Sequence, residues 1–494
     1  MAFDAREPRW TREELLRRSA RLGGGLLAAG GVARVLEGGL ALAAGEPLPK
    51  GAVHHFHSRP DLRPPALSVL RSDRTSDGYL FLSPSGGPGQ RGILILDRTG
   101  HVVYFHPTTP NTAMNFRVAR YRGRPVLTWW EGKADAGLGR GTHVIMDESY
   151  RVVARVPAGD GRQSDLHEFV ITPHSTALVT SYEVRQANLS GVGGPAFGQV
   201  IGGIVQELEL PSGRVLFEWR SLDHVAIEET HAAYQGHPLD YFHVNSIDLA
   251  ADGNLIVSAR NTWGVYKISR KTGRVIWRLG GKRSDFEMGP GTRFAWQHDA
   301  RHHGANLVSV FDDGAAPQVE PQSRVLVIRL DAENARARLV RKFVHTPNRL
   351  VTQFMGNAQV LPNGHVVVGW GNEPYVTEFG PDGAILFDAK LPRGGQNYRA
   401  YRFDWSARPF TDPVLIAPRG RQGRTAFASW NGATEIASWR LRGSAKRGAL
   451  EDVLTKRKGG FETPLEIPDG LRFAAAVALD RRGRELGRTR TIHV

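Results

Sequence analysis

"FHVNSIDLAADGNLIVSARNTWGVYKISRKTGRVIWRLGG", residues 242–281, reads as one complete structural unit. Apolar and polar residues alternate with period two on either side of Asp252-Gly253 and of Thr272-Gly273, and both dipeptides are hairpin turns. The stretch therefore predicts four antiparallel strands in succession. It also raises a question. The first strand opens on His243 and Asn245, and the second closes on Arg260 and Asn261, where plain strands would serve.

The unit recurs. "LSVLRSDRTSDGYLFLSP" (residues 67–84), "MNFRVARYRGRPVLTWWEG" (114–132), "LHEFVITPHSTALVTSYE" (166–183), "QHDARHHGANLVSVFDDG" (297–314) and "MGNAQVLPNGHVVVGWGN" (355–372) have the form of its first half. Each is followed by a second half such as "IVQELELPSGRVLFEWR" (204–220). Six units between residue 66 and about residue 391 predict an all-β chain with a six-bladed β-propeller. A helical repeat is excluded by the period of two.

In a propeller blade the first strand lines the central channel and the second runs back antiparallel. The start of strand one and the end of strand two then share one channel mouth. His243, Asn245, Arg260 and Asn261 fall at that mouth. The same register brings His167, His298, Asn357, Trp370 and the pair Asp312–Asp313 there. A single histidine at a strand start is more often structural than catalytic. Three at equivalent positions, with asparagine in two other units, do not behave as a fixed packing residue, so the mouth is the expected site. "HHFH" (54–57) and "RHH" (301–303) read as solvated, and Trp277 as packing between blades.

Composition sets limits. The 494 residues include no cysteine, which excludes disulfides and thiolate metal sites. A formal charge of +15 draws anionic partners, but no nucleic-acid-binding motif accompanies it. Arg17 and Arg18 precede a Gly/Ala/Leu stretch ending in the small-residue pattern Ala41–Ala43. Residues 1–43 thus resemble a twin-arginine export signal, and export to the cell surface or beyond is expected. The propeller is expected over residues 54–400. After it, alternating strands over residues 402–494 predict an immunoglobulin- or fibronectin-like β-sandwich with Trp430 and Trp439 inside or between its strands. From Arg402 onward there are 18 Lys and Arg against 10 acidic residues. That balance suits docking on an anionic cell-surface polymer, and suits a solvated charged surface equally well.

The Phe242–Gly281 stretch, "WQHDARHHGANLVSVFDDG" (296–314), "QVLPNGHVVVGWGNEPYVTEFGPDGAILFDAKLP" (359–392) and "NYRAYRFDW" (397–405) together resemble the arylsulfate sulfotransferase family, in its actinobacterial and fungal branch. The resemblance implies a six-bladed propeller and a ping-pong reaction without a cofactor. A sulfuryl group passes from an aryl sulfate ester to a phenol through a histidine. It further implies that His243, in H-x-N-S-I, and His298, in Q-H, are catalytic. Arg324 is a loose counterpart of the family's arginine after F-D-x-G. The family's acceptor histidine at the end of the last blade's second strand is not matched: "GWGNEPY" (369–375) stands there.

The residue types fit such chemistry. Histidine serves as nucleophile or acid near neutral pH, Arg260 is a fixed fork for an oxyanion, and Trp129, Trp130, Trp263 and Trp370 offer faces to an aromatic acceptor. His167, Asn245, Asn261, Asn357, Trp370 and Arg324 are expected to bind substrate beside His243, His298 and Arg260. A lyase or hydrolase on another anionic substrate, or a binding propeller without turnover, would use the same inventory.

Overall fold

The computed structural model describes residues 51–304, 306–418 and 424–494. Arg17, Arg18 and the Ala41–Ala43 pattern lie outside them. The described chain is all-β, built mainly from antiparallel pairings, with Leu239–Asp240 and Glu287–Met288 added in parallel at two places.

Successive strands pair with their chain neighbours, as the turn-punctuated alternation predicts. The second sheet contains Thr112–Tyr121, Arg124–Asp135, Leu138–Met146 and Val152–Val156. The third contains Phe169–Ile171, Thr176–Ala187, Gly198–Glu209 and Val215–Arg220. Val244–Leu249, Leu255–Ala259, Gly264–Ile268 and Val275–Gly280 form the fourth. His298–His302, Leu307–Asp312, Arg324–Asp331 and Arg336–Phe343 form the fifth, and Asn357–Val360, Val366–Gly369, Tyr375–Phe379 and Ile385–Lys390 the sixth.

The first sheet departs from the expectation. Tyr79–Leu82, Gly92–Leu96 and Val102–Pro107 are consecutive, but the strand beside Tyr79–Leu82 is Tyr401–Phe403, from the other end of this region. Ser68–Ser72, expected to open the first unit, pairs instead with Ile385–Lys390 at the edge of the sixth sheet. Both pairings are non-local, and local alternation carries no information about them.

Apolar residues that alternate along the strands meet between neighbouring sheets. Leu178, Val205 and Trp219 of the third sheet share a cluster with Ile247, Val257 and Tyr266 of the fourth. Val265 and Leu279 of the fourth share another with Val310 and Ile328 of the fifth. Each fully buried side chain of this size contributes roughly 1.5–3 kcal/mol.

The first strands are also laced by polar side chains. Ala300 N–H donates to Ser246 Oγ at 3.0 Å, and Ala358 N–H to Asp299 Oδ2 at 3.0 Å. Asn357 accepts the Ala400 amide at 2.8 Å and donates to the Ala400 carbonyl at 2.9 Å, so one side chain imitates a strand partner.

Beyond Phe403 two further sheets share one cluster. Leu415, Ala426, Ala428 and Leu465 come from one, and Trp439, Leu441, Ala474 and Ala476 from the other. Gly432 N–H donates to Val103 O at 2.8 Å, and Tyr150 Oη to Gly432 O at 2.9 Å, tying this part to the first two sheets.

Candidate active site

His243 immediately precedes Val244–Leu249, and the hairpin turn at Asp252-Gly253 folds the next strand back beside it. Arg260 N–H donates to His243 O at 3.0 Å and Asn261 N–H to Phe242 O at 3.1 Å, which sets the four residues of the opening question at one end of one hairpin. His243 has φ 54°, in the left-handed region, and the pairing register shifts just after it, between Val244 and Ser246. That irregularity turns its ring out of the strand repeat. His298 opens His298–His302, and His167 precedes Phe169–Ile171, so the three histidines occupy equivalent places on three successive sheets.

Each imidazole is fixed through Nδ1 on its own carboxylate. His243 Nδ1 lies 2.5 Å from Asp240 Oδ2, His167 Nδ1 2.5 Å from Asp165 Oδ2, and His298 Nδ1 2.8 Å from Asp313 Oδ2. A neutral imidazole that donates from Nδ1 keeps its lone pair on Nε2, so the carboxylates choose the tautomer as well as the orientation. The rings are close: centroids of His167 and His243 are 4.9 Å apart and nearly perpendicular, and those of His167 and His298 are 6.4 Å apart. Burial lowers the His298 imidazole well below its ordinary value, and Arg260, His167 and His243 act the same way. Burial also lowers His167, although Asp165 opposes it. Burial works to raise Asp165, but His167 and the amides of Gly139 and His167 hold it below the usual range, so it stays ionised.

The three rings border one cavity of about 230 Å³. Arg260 and Asn261 line it, with Tyr398, Leu166, Met355 and the turn residues Ala136 and Gly137. The Arg260 guanidinium lies over Trp296, 4.8 Å from the ring centroid, and donates to Gln353 O at 2.9 Å and Asn261 Oδ1 at 3.2 Å. Burial pulls its pKa down while Asp313 and Asp240 oppose the shift, and a guanidinium so placed remains a cation. Imidazoles beside the Arg260 cation and an apolar wall suit a small aromatic anion.

Behind the cavity lies a buried ion cluster. Arg399 Nη1 contacts Glu168 Oε1 and Oε2 at 3.0 Å, and Arg301 Nη2 contacts Glu168 Oε2 and Asp299 Oδ1 at 2.5 Å. Arg399 Nη2 donates to Asn245 O at 2.9 Å, and Tyr398 Oη to His167 O at 3.2 Å. Burial works to raise Glu168, but Arg301, Arg399 and Arg117 outweigh it and hold the carboxyl at about 2. The two arginines and two acids balance in charge; Arg399 holds the backbone that carries Asn245, and its neighbour Tyr398 the backbone that carries His167.

Of the residues singled out from sequence, His167, His243, Arg260, Asn261 and His298 come together at the cavity. Asn245, Asn357, Trp370 and Arg324 do not line it. Asn245 donates to Gln297 O at 2.7 Å and, like Asn357, laces neighbouring first strands. Trp370 is fully buried, its indole N–H on Thr377 Oγ1 at 3.0 Å. Arg324 pairs with Asp312 at 2.8 Å and Glu320 at 2.7 Å. Trp129 and Trp130 are buried too. Arg301, read as solvated in a turn, lies instead within strand His298–His302, held by Glu168 and Asp299. Among the described residues, no group of three or more His, Asp or Glu has the geometry to hold a metal ion.

Asp165, Asp240 and Arg399 escaped the sequence reading. An acid two or three residues before each of two mouth histidines was the available signal for the first pair. Nothing local marks Arg399 as central.

The arylsulfotransferase (ASST) family matches residues 117–391, more than half of the chain. No curated protein matches it. Among solved structures, a protein of unknown function from Bacteroides caccae is 15% identical with TM-score 0.41, over 66% of this chain and 98% of its own. A streptogramin B lyase is 10% identical with TM-score 0.35, over 74% and 94%. A catalytically inactive virginiamycin B lyase from Staphylococcus aureus, solved with quinupristin, is 10% identical with TM-score 0.33, over 74% and 97%.

Proposed function

Because this chain belongs to the arylsulfotransferase family, we propose that it moves a sulfuryl group from an aryl sulfate ester to a phenolic acceptor through His243. The observation that carries the reading is the set of three imidazoles, each held at Nδ1 by its own aspartate, around one cavity with Arg260. His243 is favoured as the nucleophile because it is the most exposed of the three, at 9% against 3% and 2%. His298 Nε2, by contrast, faces the Met355 amide at 3.4 Å.

In the first half-reaction the His243 Nε2 lone pair attacks sulfur, the S–O bond to the aryl group breaks, and the phenolate leaves. The new N-sulfo-imidazolium keeps its Nδ1 proton on Asp240. In the second, a phenol oxygen attacks sulfur and the N–S bond breaks. His167 Nε2 takes the phenolic proton, and neutral His243 is restored. Sulfuryl transfer, like phosphoryl transfer, spreads charge over peripheral oxygens, and Arg260 is the cation that meets it.

The six sheets, three of four strands and three of five, with laced first strands support a six-bladed propeller around this cavity, and the two sheets beyond Phe403 with their shared core support a β-sandwich. The paired arginines support export by the twin-arginine route.

The test uses 4-nitrophenyl sulfate with phenol. Nitrophenol release that depends on phenol and disappears in His243→Ala supports the transferase. Asp240→Asn, which turns an N–H toward Nδ1 and reverses the tautomer, is expected to cost about 10²–10⁴-fold. Release without phenol makes the protein a sulfatase. No release from folded protein with any aryl sulfate overturns the reading.

A further inference from the structure

The turn between Arg124–Asp135 and Leu138–Met146 lies on the second sheet, yet it reaches His243 on the fourth. Ala136 and Gly137 form a two-residue hairpin loop with φ 47° and 82°, and both line the cavity. A Cβ placed on Gly137 would stand 3.2 Å from His243 Cε1 and 3.8 Å from Nε2. Only the missing side chain at residue 137 leaves that edge of the ring open.

The turn is anchored. Gly139 N–H donates to Asp165 Oδ1 at 2.6 Å, and the other oxygen of the same carboxylate holds His167. Gly141 and Ser164 exchange backbone hydrogen bonds at 3.1 Å. The glycines of this arm, the two strands with their turn, pack on its own Trp130: Cβ atoms on Gly132, Gly139 or Gly141 would come within 2.9 Å of its indole, whose N–H is fixed on Ser164 O at 3.0 Å. A Cβ on Gly139 would also stand 2.5 Å from Leu166 N, so the bare glycine lets the arm close on the segment that carries His167. The arm is a fixed wall, placed by the carboxylate that also orients His167.

The geometry points to the Ala136–Gly137 turn as the size-selecting element for whatever reaches His243 Nε2, passing unhindered phenols and turning away those substituted beside the reacting oxygen. The kinetic part of this inference rests on His243 as sulfuryl acceptor, and the access part does not. Residue 137 sets clearance at the nitrogen, and residue 136 sets the width of the cavity at the same wall.

The experiment uses full-length protein and two readouts. The first is site-resolved labelling by diethyl pyrocarbonate. Imidazole nitrogen attacks one carbonyl, an N-carbethoxy bond forms, and ethyl carbonate leaves and decays to ethanol and carbon dioxide. Exposed His101 is the internal reference. Gly137→Asn, whose residue tolerates positive φ, is expected to slow labelling of His243 about ten-fold relative to His101, and Ala136→Gly to speed it. The second is kcat/KM for phenol over that for 2,6-dimethylphenol, expected to rise about ten-fold or more in Gly137→Asn. If Gly137→Asn does not fold, Ala136→Asn against Ala136→Gly carries the same comparison. Unchanged His243 labelling in the enlarged variants overturns the inference even if transfer proceeds. Slowed labelling in a protein with no transferase activity upholds the gate and removes only the reaction assigned to it.

Discussion

His167 and His243 meet edge to face, ring centroids 4.9 Å apart, and each is tied by Nδ1 to a different aspartate. Two imidazoles so close cannot both carry a positive charge cheaply, so in the proposed transfer their roles divide: one becomes the charged sulfo-imidazolium while the other stays neutral to take a proton.

That division separates the half-reactions. His243→Ala is expected to abolish both the nitrophenol burst and the mass increase of one sulfuryl group on the protein. His167→Ala is expected to keep both with 4-nitrophenyl sulfate, whose leaving phenolate needs no acid, and to slow transfer to phenol about 10²–10⁴-fold. Rapid-quench kinetics with intact-protein mass spectrometry checks it. Loss of the burst in His167→Ala would move the nucleophile.

The pH profile follows from the same pair. For a ping-pong enzyme, kcat/KM for the acceptor reports the sulfo-enzyme, in which the His243 nitrogen is already occupied. In the proposed reaction the remaining base is His167, held below its ordinary value of 6.5 by burial. A depressed histidine stays neutral to lower pH, so the acid limb for the acceptor should fall below pH 6.5. A limb at or above that value would remove His167 from the role.

The ion cluster behind the cavity gives a stability prediction. Arg399→Met leaves Glu168 and Asp299 with Arg301 as their one remaining partner in the buried cluster, an unbalanced negative charge, and is expected to cost about 3–5 kcal/mol in chemical denaturation. Adding Glu168→Gln restores the charge balance, so the double variant should be more stable than the sum of the single losses implies. Additive losses would mean that the two side chains are not coupled.

His143 supplies a second one, away from the chemistry. It is fully buried, stacked on Phe169 with centroids 4.4 Å apart, and neither ring nitrogen finds a partner among the described residues. Burial lowers it to about 3, against 6.5 when free. Between those values the unfolded chain binds a proton that the folded chain refuses, so stability falls as pH drops through this window and levels off below it. His143→Phe, which keeps the stacking, should flatten the slope by up to about 1.4 kcal/mol per pH unit. An unchanged slope would show that His143 is not the proton's site.

Strands and turns were legible because alternation and Asn-Gly or Asp-Gly pairs are local. So were His167, His243 and His298, because equal register in successive units put them at one end. Polar recurrence at strand starts was read too generously. Asn245 and Asn357 recur for a different reason: their amides supply both donor and acceptor between neighbouring first strands. Trp370 looked accessible only because burial cannot be read from a residue beside a turn. Arg399 was invisible as a centre because its partners, Glu168 and Asp299, are brought to it by sheets whose placement no local pattern encodes.

The pairing of Tyr79–Leu82 with Tyr401–Phe403 has a bearing on synthesis. During translation the first sheet's consecutive strands emerge long before the strand that completes it. Tyr398 and Arg399, which support the histidine cavity, arrive on that same late segment. A chain stalled or cut before residue 398 therefore holds all three histidines and their aspartates without the groups that brace the His167 and Asn245 backbones. The bracing of the cavity is thus the last part of this region to be made.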